Sequence, residues 1–377
     1  MKNMLAIQKY LAENGLDKAI KVFNLKTREY SSKILLKYDQ LSSPTLMALK
    51  EVQECRGLVL EKDTWKVMSM AFSKFFNSEE GNAHKIDWDT AHVLEKLDGS
   101  LMSVYYDWNK KEWFAGTTGT AEGEGEVNNK MGTTFNQLFW TTIKEKYNVS
   151  PSAFIKGFTY VFELTTPYNI VVKPHGEASA SLLTVRNLET LEEVSFERLT
   201  EIAESLGVPR VKSYDLNANN VGALLRTFEN MDAFFEGYVI VDTNFNRVKV
   251  KSPKYVAIHH LKNKTAEYNI IEIVKSNEIE EFSAVFPDRK NELIDLKEKY
   301  DKLSCLLTKT WLDLQEFKPK NLLPKERKKY AEAVFRLCTE NKIKQFTGLF
   351  FGLYEGKISS VEEYLSNFDS KNLYKLL

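Results

Sequence analysis

The hydrophobic period of the chain changes at Ser252-Pro253 and does not change back. Before that point apolar residues alternate in short runs bounded by turn residues, the period-two signature of half-buried strands. After it, Leu293, Leu296, Tyr300, Leu303, Leu307, Trp311 and Leu314 recur at three-and-four spacing, and helices fit Lys325 to Glu340, Gln345 to Tyr354 and Val361 to Phe368. A chain patterned this way is expected to be α+β, with residues 1–252 built on antiparallel sheets with flanking helices and residues 253–377 all helical. Its 43% apolar and 12% aromatic residues are enough to give both parts a core.

Within the first part, a helix is expected from Leu5 to Leu11, stopping near Asn14-Gly15, then a strand from Ile34 to Tyr38. The runs Arg56 to Glu61 and Lys66 to Phe72 read as a hairpin turning at Lys62-Asp63-Thr64. Strands follow over Ala91 to Leu94, Leu101 to Tyr106 and Glu112 to Thr120. The glycine-alternating stretch with Glu122, Glu124 and Glu126 reads as a mobile loop. Next come a helix from Phe135 to Tyr147, strands at Thr159 to Leu164, Asn169 to Val172 and Ser181 to Arg186, and a helix from Phe196 to Leu206. The last sheet element is a hairpin, Phe235 to Val241 with Arg247 to Ser252, turning at 243–246.

Charge and cysteine content exclude several classes. Lysine plus arginine equal aspartate plus glutamate, 52 each, so there is no overall basic field, and any polyanion site must be local. Cys55, Cys305 and Cys338 are too few and too scattered for a disulfide framework or a zinc site. The N-terminus leads into an amphipathic segment rather than a signal peptide, and no apolar run approaches a membrane span. A soluble, intracellular protein is expected.

Several charged side chains stand where the pattern is otherwise apolar. Glu95-Lys96-Leu97-Asp98-Gly99-Ser100 joins two apolar runs, placing a lysine and an aspartate at a turn; taken alone, the same string also describes a surface hairpin with a solvated lysine. Lys74 lies beside Phe75 and Phe76, a pattern shared with a lysine stem lying along a core. Glu163 is the one charge in Thr159 to Leu164, either facing solvent at an edge or aimed into a cavity. Period two puts Lys249 and Lys251 on one strand face and Val248 and Val250 on the other. Two ammonium groups side by side suit an anion, although a half-exposed strand has the same pattern. The basic run Lys318, Lys320, Lys325, Arg327, Lys328 and Lys329 fits an RNA contact or a solvated helix start.

Taken in order, these stretches resemble the covalent nucleotidyltransferases, and most closely the ATP-dependent RNA ligases of the phage RNA ligase 1 family, over about residues 50 to 260. Glu54-Cys55-Arg56-Gly57 and Lys74-Phe75-Phe76-Asn77 resemble the family's upstream elements that bind the ATP triphosphate. Lys96-Leu97-Asp98-Gly99-Ser100 resembles its nucleophile motif. Phe162-Glu163, Glu236-Gly237-Tyr238-Val239 and Val248-Lys249-Val250-Lys251 resemble its later nucleotide-binding motifs. Thr117-Thr118-Gly119-Thr120 departs from the family, which often carries a basic residue before the glycine.

The resemblance implies a ligase-type nucleotidyltransferase domain (1–252) and a helical C-terminal domain (253–377) for RNA specificity. It implies catalytic roles for Lys96, Glu163, Glu236, Lys249 and Lys251. ATP binding is implied for these five with Arg56, Lys74, Glu95, Asp98 and Ser100, and Mg²⁺ or Mn²⁺ held by Glu163 and Glu236 through water. The implied reaction has three steps: a Lys96–AMP phosphoramidate, transfer of AMP to an RNA 5′-phosphate, and attack by a 3′-hydroxyl. A lysine attacks phosphorus only when neutral; bringing its pKa from about 10.4 to about 7 or 8 takes roughly 4 kcal/mol of differential stabilisation. The implied partners are RNA ends, such as those of a cleaved tRNA anticodon loop, bound by a monomer in the cytoplasm, that of the host cell if the chain is phage-encoded. DNA ligases and RNA-capping guanylyltransferases use the same lysine but continue into a β-rich OB-fold where this chain turns helical. A non-catalytic RNA-binding relative would be expected to lack Lys96 or the carboxylates.

Overall fold

Among the described residues, the period-two runs fold into thirteen strands. The computed structural model describes residues 4–40, 42–169, 172–216, 219–262, 270–317 and 324–377, apart from the side chains of 260–262, 284–285 and 324–326. In chain order the strands are β1 (Leu25–Glu29), β2 (Lys33–Tyr38), β3 (Arg56–Glu61), β4 (Val67–Ser69), β5 (Phe76–Asn77), β6 (His92–Glu95) and β7 (Ser100–Asp107). They continue as β8 (Glu112–Thr117), β9 (Phe158–Thr165), β10 (Ser179–Asn187), β11 (Ser213–Tyr214), β12 (Gly237–Val241) and β13 (Arg247–Lys251). Three sheets result, ordered β1-β2-β3-β4, β10-β9-β7-β8 and β11-β6-β12-β13-β5. Every pairing is antiparallel except the short parallel contact of β13 with β5, which sequence alternation gave no reason to expect.

Each sheet buries one alternating face under helices. In the first, Ile34, Leu36, Leu58 and Leu60 meet Ile7 and Leu11 of the helix Ala6–Asn14 and Val52 of Lys50–Glu54. In the second, Met102, Val104, Phe162 and Leu182 pack on the helices Phe135–Tyr147 and Phe196–Leu206. Phe135–Tyr147 starts where the sequence predicts, because Thr134 and Gln137 form a capping box, and it ends at Asn148 in the left-handed conformation. In the third, Val93, Tyr238, Ile240, Val248 and Val250 pack on Leu224 of the helix Val221–Thr227. That packing commits the valine face of β13 to the core and leaves the lysine face to the other side.

One sequence expectation changes here. The loop expected to be mobile is tied down: Glu122 pairs with Lys33 and Lys110, and Glu124 with Arg28 and the Tyr30 hydroxyl. In the expected strand Asn169 to Val172, residues 170–171 lie outside the described residues, as do Lys318 and Lys320 of the basic run.

The chain divides into two compact units, residues 1–38 with 44–262, and residues 39–43 with 263–377. The helix Pro253–Lys262 therefore belongs with the sheets. In the second unit the long helix Lys290–Leu314 buries Leu293, Leu296, Leu307 and Leu314, as its stripe predicts. It packs on Ile270–Ser276, Pro324–Glu340 and Val361–Asn367. The Lys275 amine donates to the carbonyls of Ser366 and Phe368, fastening the C-terminal helices. No helix among the described residues is long and apolar enough to cross a membrane.

Candidate active site

The lysine turn is not a hairpin. β6 ends at Glu95 in the third sheet and β7 begins at Ser100 in the second, so residues 96–99 cross from one sheet to the other. Both flanks fix the crossing: the Glu95 amide donates to Lys212 O (2.8 Å) and the Lys96 amide to Gly237 O (2.9 Å). Gly99 lets the turn lie on β9, since a Cβ there would stand 2.6 Å from Leu164 O and 3.1 Å from Glu163 Cγ. Gly237, at φ +145°, occupies backbone space where a Cβ would meet Val250 O at 2.1 Å. Two close approaches thus bring Lys96 between the strands that carry Glu163 and Lys249.

An open cavity of about 240 Å³ lies over this crossing, within the first unit. Its walls include Arg56, Lys74, Glu95, Lys96, Glu163, Glu236, Lys249 and Lys251, eight of the ten residues the sequence selects. Lys96 Nζ donates to Glu236 Oε1, with the two side chains 24% and 10% exposed, so an ion pair occupies the centre of the site. Burial pushes the Glu163 carboxyl up to about 8; Lys96 and Arg56 pull against that, while Glu236 and Asp98 add to it. Lys249 is brought down to about 7 by burial, then by the like charges of Lys251, Lys96 and Lys74, with Glu80 opposing. The parallel pairing of β13 with β5 sets Lys249 opposite Asn77 and so draws the Lys74 segment alongside.

A second cluster of cations completes the wall. Burial lowers the Lys74 pKa, with Glu80 opposing and Arg56 adding, and its amine lies 5.2 Å from the Tyr38 ring centre and 4.6 Å from that of Phe76. The Arg56 guanidinium stands 5.0 Å from the Phe75 ring, and its Nη1 is buried with no hydrogen-bond partner among the described residues. A buried, unsatisfied guanidinium nitrogen facing a cavity suits an anionic ligand. Apolar side chains on the lining, Leu94, Leu97, Leu183, Val211 and Val239, offer a surface for an aromatic ring.

Asp98 and Ser100 stand apart from the cavity wall. Asp98 is buried, its Oδ2 accepts from the amides of Val172 (2.9 Å) and Lys173 (2.6 Å), and its carbonyl meets His175 Nε2 at 2.8 Å. Ser100 Oγ accepts from Asn169 Nδ2 at 2.9 Å. Both brace the turn that holds Lys96. Thr118, which stands where the family often has a basic residue, has its backbone against Gly57, where a Cβ would come within 2.7 Å of the Thr118 Cα. Sequence reasoning missed Tyr38, Phe72 and Arg247 in the wall, and named Phe75 only as part of the Lys74 stretch. Arg247 was within its reach, because it shares the parity of Lys249 and Lys251 on β13; the aromatic residues carried no separate signal.

A family model described as RNA ligase matches residues 54–255, more than half of the sequence and all ten selected residues. The chain belongs to the RNA ligase family. It is 26% identical to an RNA ligase of Rhodothermus phage RM378, covering 85% of this chain and 86% of that one. It is 27% identical to a protein of Autographa californica nuclear polyhedrosis virus named as a bifunctional polynucleotide kinase/RNA ligase, covering 76% of this chain. The match spans only 42% of that viral protein. Among solved structures, an archaeal ATP-dependent RNA ligase aligns with a TM-score of 0.46 at 15% identity, covering 90% of this chain and 81% of that one. A Naegleria gruberi RNA ligase with PPi aligns with a TM-score of 0.33 at 15% identity, covering 46% and 52%.

Proposed function

We propose that this member of the RNA ligase family joins RNA ends with ATP, and that Lys96 carries AMP between the first two steps. The observation that carries this reading is the convergence on one cavity of Lys96, Glu163, Glu236, Lys249, Lys251, Lys74 and Arg56, drawn from separated stretches of the chain. The base lies against the aliphatic wall and the phosphates against the cations. Glu236 accepts a hydrogen bond from the Lys96 amine and stands where the nucleophile's proton would go. Lys249 and Lys251 hold the α-phosphate and offset charge that builds as pyrophosphate leaves; Arg56 and Lys74 take the outer phosphates.

A divalent metal fits the donor set. Glu163 and Glu236 line the same cavity, and Glu163, whose carboxyl burial pushes up to about 8, offers a carboxylate once a cation replaces its proton. The described residues contain no group of three or more His, Cys, Asp or Glu side chains able to hold a metal, so Mg²⁺ or Mn²⁺ would be held by the two glutamates through its waters and the nucleotide. Bound there, it supplies positive charge to the phosphate oxygens.

On this reading the sheet unit is the adenylation domain, acting as a monomer, and the helical unit selects RNA, with the broken anticodon loop of a tRNA as the finer substrate; that choice rests on the family resemblance. The test is covalent labelling. With α-labelled ATP the protein should acquire label and with α-labelled GTP it should not, and Lys96→Ala should lose the label while sealing of an already adenylated RNA persists in part. Label on the Ala variant would assign the nucleophile elsewhere.

A further inference from the structure

A second cavity, about 610 Å³, shares Lys74, Phe75 and Arg247 with the nucleotide cavity and lies in the same unit. Its remaining wall includes Lys50, Gln53, Ser73, His84, Asn244 and Phe245. Glu193, also in the wall, is held by two guanidiniums, Arg186 Nη2 at 2.7 Å and Arg247 Nη2 at 2.5 Å, so that cluster keeps a net positive charge. Glu54 is committed to the amides of Ala6 and Ile7 at 3.1 and 2.9 Å. Of the acids in the wall, that leaves Glu192 exposed at the rim, against Lys50 and Lys74.

Stereochemistry says what this cavity is for, given the Lys96–AMP reading on which the inference rests. Phosphoryl transfer runs in line, so the attacking and leaving groups occupy opposite sides of phosphorus. In the first step Lys96 attacks and pyrophosphate departs on the far side. In the second, an oxygen of the RNA 5′-phosphate forms a P–O bond while the Lys96 Nζ–P bond breaks; the electron pair returns to Nζ, which takes up a proton. The RNA phosphate must therefore approach where pyrophosphate left, on the side assigned to Arg56 and Lys74. Lys74 is also one of the three residues that the two cavities share. We propose that the second cavity receives the 5′-terminal nucleotide of the phosphate-bearing RNA strand, its phosphate directed by Lys74 and its base placed among Phe75, Phe245 and the polar side chains.

The test uses full-length protein carrying preformed AMP, mixed in single turnover with 5′-phosphorylated RNA over a range of concentrations. Lys50 and Asn244 are exposed and outside the nucleotide cavity, so the double variant Lys50→Glu/Asn244→Glu should form the AMP adduct normally. Its half-saturating 5′-phosphate RNA concentration should rise about tenfold, with that for the 3′-hydroxyl strand unchanged. Glu192→Lys, also exposed, should lower the same value. A wild-type chain that takes no AMP would overturn both this proposal and the reading beneath it. Normal adducts with the same half-saturation in all proteins, or a change confined to the 3′-hydroxyl strand, would overturn the second cavity alone.

Discussion

Glu163 and Lys249 are shifted in opposite senses, which gives the site a readable pH signature. Glu163 has a folded pKa of about 8 against the 4.5 of a free glutamate, so its contribution to stability is complete below pH 4.5. Between 4.5 and about 8 the folded state keeps a proton that the unfolded chain has lost, and stability falls as pH rises. Glu163→Gln should flatten that part of the melting-temperature profile; an unaltered slope would mean the carboxyl is already ionised. Lys249 works the other way, since its pKa is about 7 folded and 10.5 unexposed to these neighbours, so stability rises with pH across that interval and Lys249→Met should remove the rise. A second prediction joins Glu163 to the metal. Mg²⁺ binding at pH 7 should release more protons in the wild type than in Glu163→Gln, measured by calorimetry in buffers of different ionisation enthalpy. Sequence identified both residues by charge in an apolar run, but their shifts arise from neighbours distant in the chain, Lys74 and Lys96 beside Lys249 among them, which no local pattern records.

At the scale of elements, the sequence revealed most strands and concealed how they associate. Alternation locates β6 and β7 but cannot say that they join different sheets, because each has a satisfactory buried face either way. The consequence is testable at Gly99. An added Cβ would stand 2.6 Å from Leu164 O, a backbone atom that can yield only by moving β9 or the turn. Gly99→Ala should slow AMP labelling by about a hundredfold, the order expected of a displacement near 1 Å, with a smaller loss in melting temperature. Equal labelling rates would show that the close approach does not position Lys96. Lys33 supplies the contrasting case: fully buried in β2, it binds Asp107 at 2.5 Å and Glu122 at 2.9 Å, and lies outside the cavity that Lys96 lines. Lys33→Ala would leave Asp107 Oδ2 buried without its ion-pair partner, while Oδ1 keeps the amides of Asn109 and Lys110, and should cost about 3 kcal/mol in chemical denaturation. Labelling by the folded fraction should be unchanged. The pairing was illegible beforehand because Lys33, Asp107 and Glu122 come together only when the first two sheets are in place.

For the whole molecule, the change of hydrophobic period marks where the sheets end, ten residues before the end of the unit they belong to, since the helix Pro253–Lys262 buries Tyr255, Val256 and Ala257 within it. Every residue proposed for the chemistry lies in that first unit, which leaves substrate choice as the task proposed for the second. The basic run there offers the means to test the division. Arg327, Lys328 and Lys329 are exposed on the helix Pro324–Glu340, while Tyr330 and Val334 turn into the unit's core, so three cations can be reversed without touching packing. Lys328 has a partner in Glu332, but at 4.0 Å between side chains 79% and 64% exposed that pair contributes little. If the face meets single-stranded RNA, each phosphate contact adds about 0.7 to the slope of log affinity against log salt, and reversing all three should reduce it by about two. RNA affinity should fall more at low salt than at high, and labelling by ATP alone should proceed at the wild-type rate. Unchanged affinity and slope would make this run a solvated helix face and move RNA selection elsewhere in the chain.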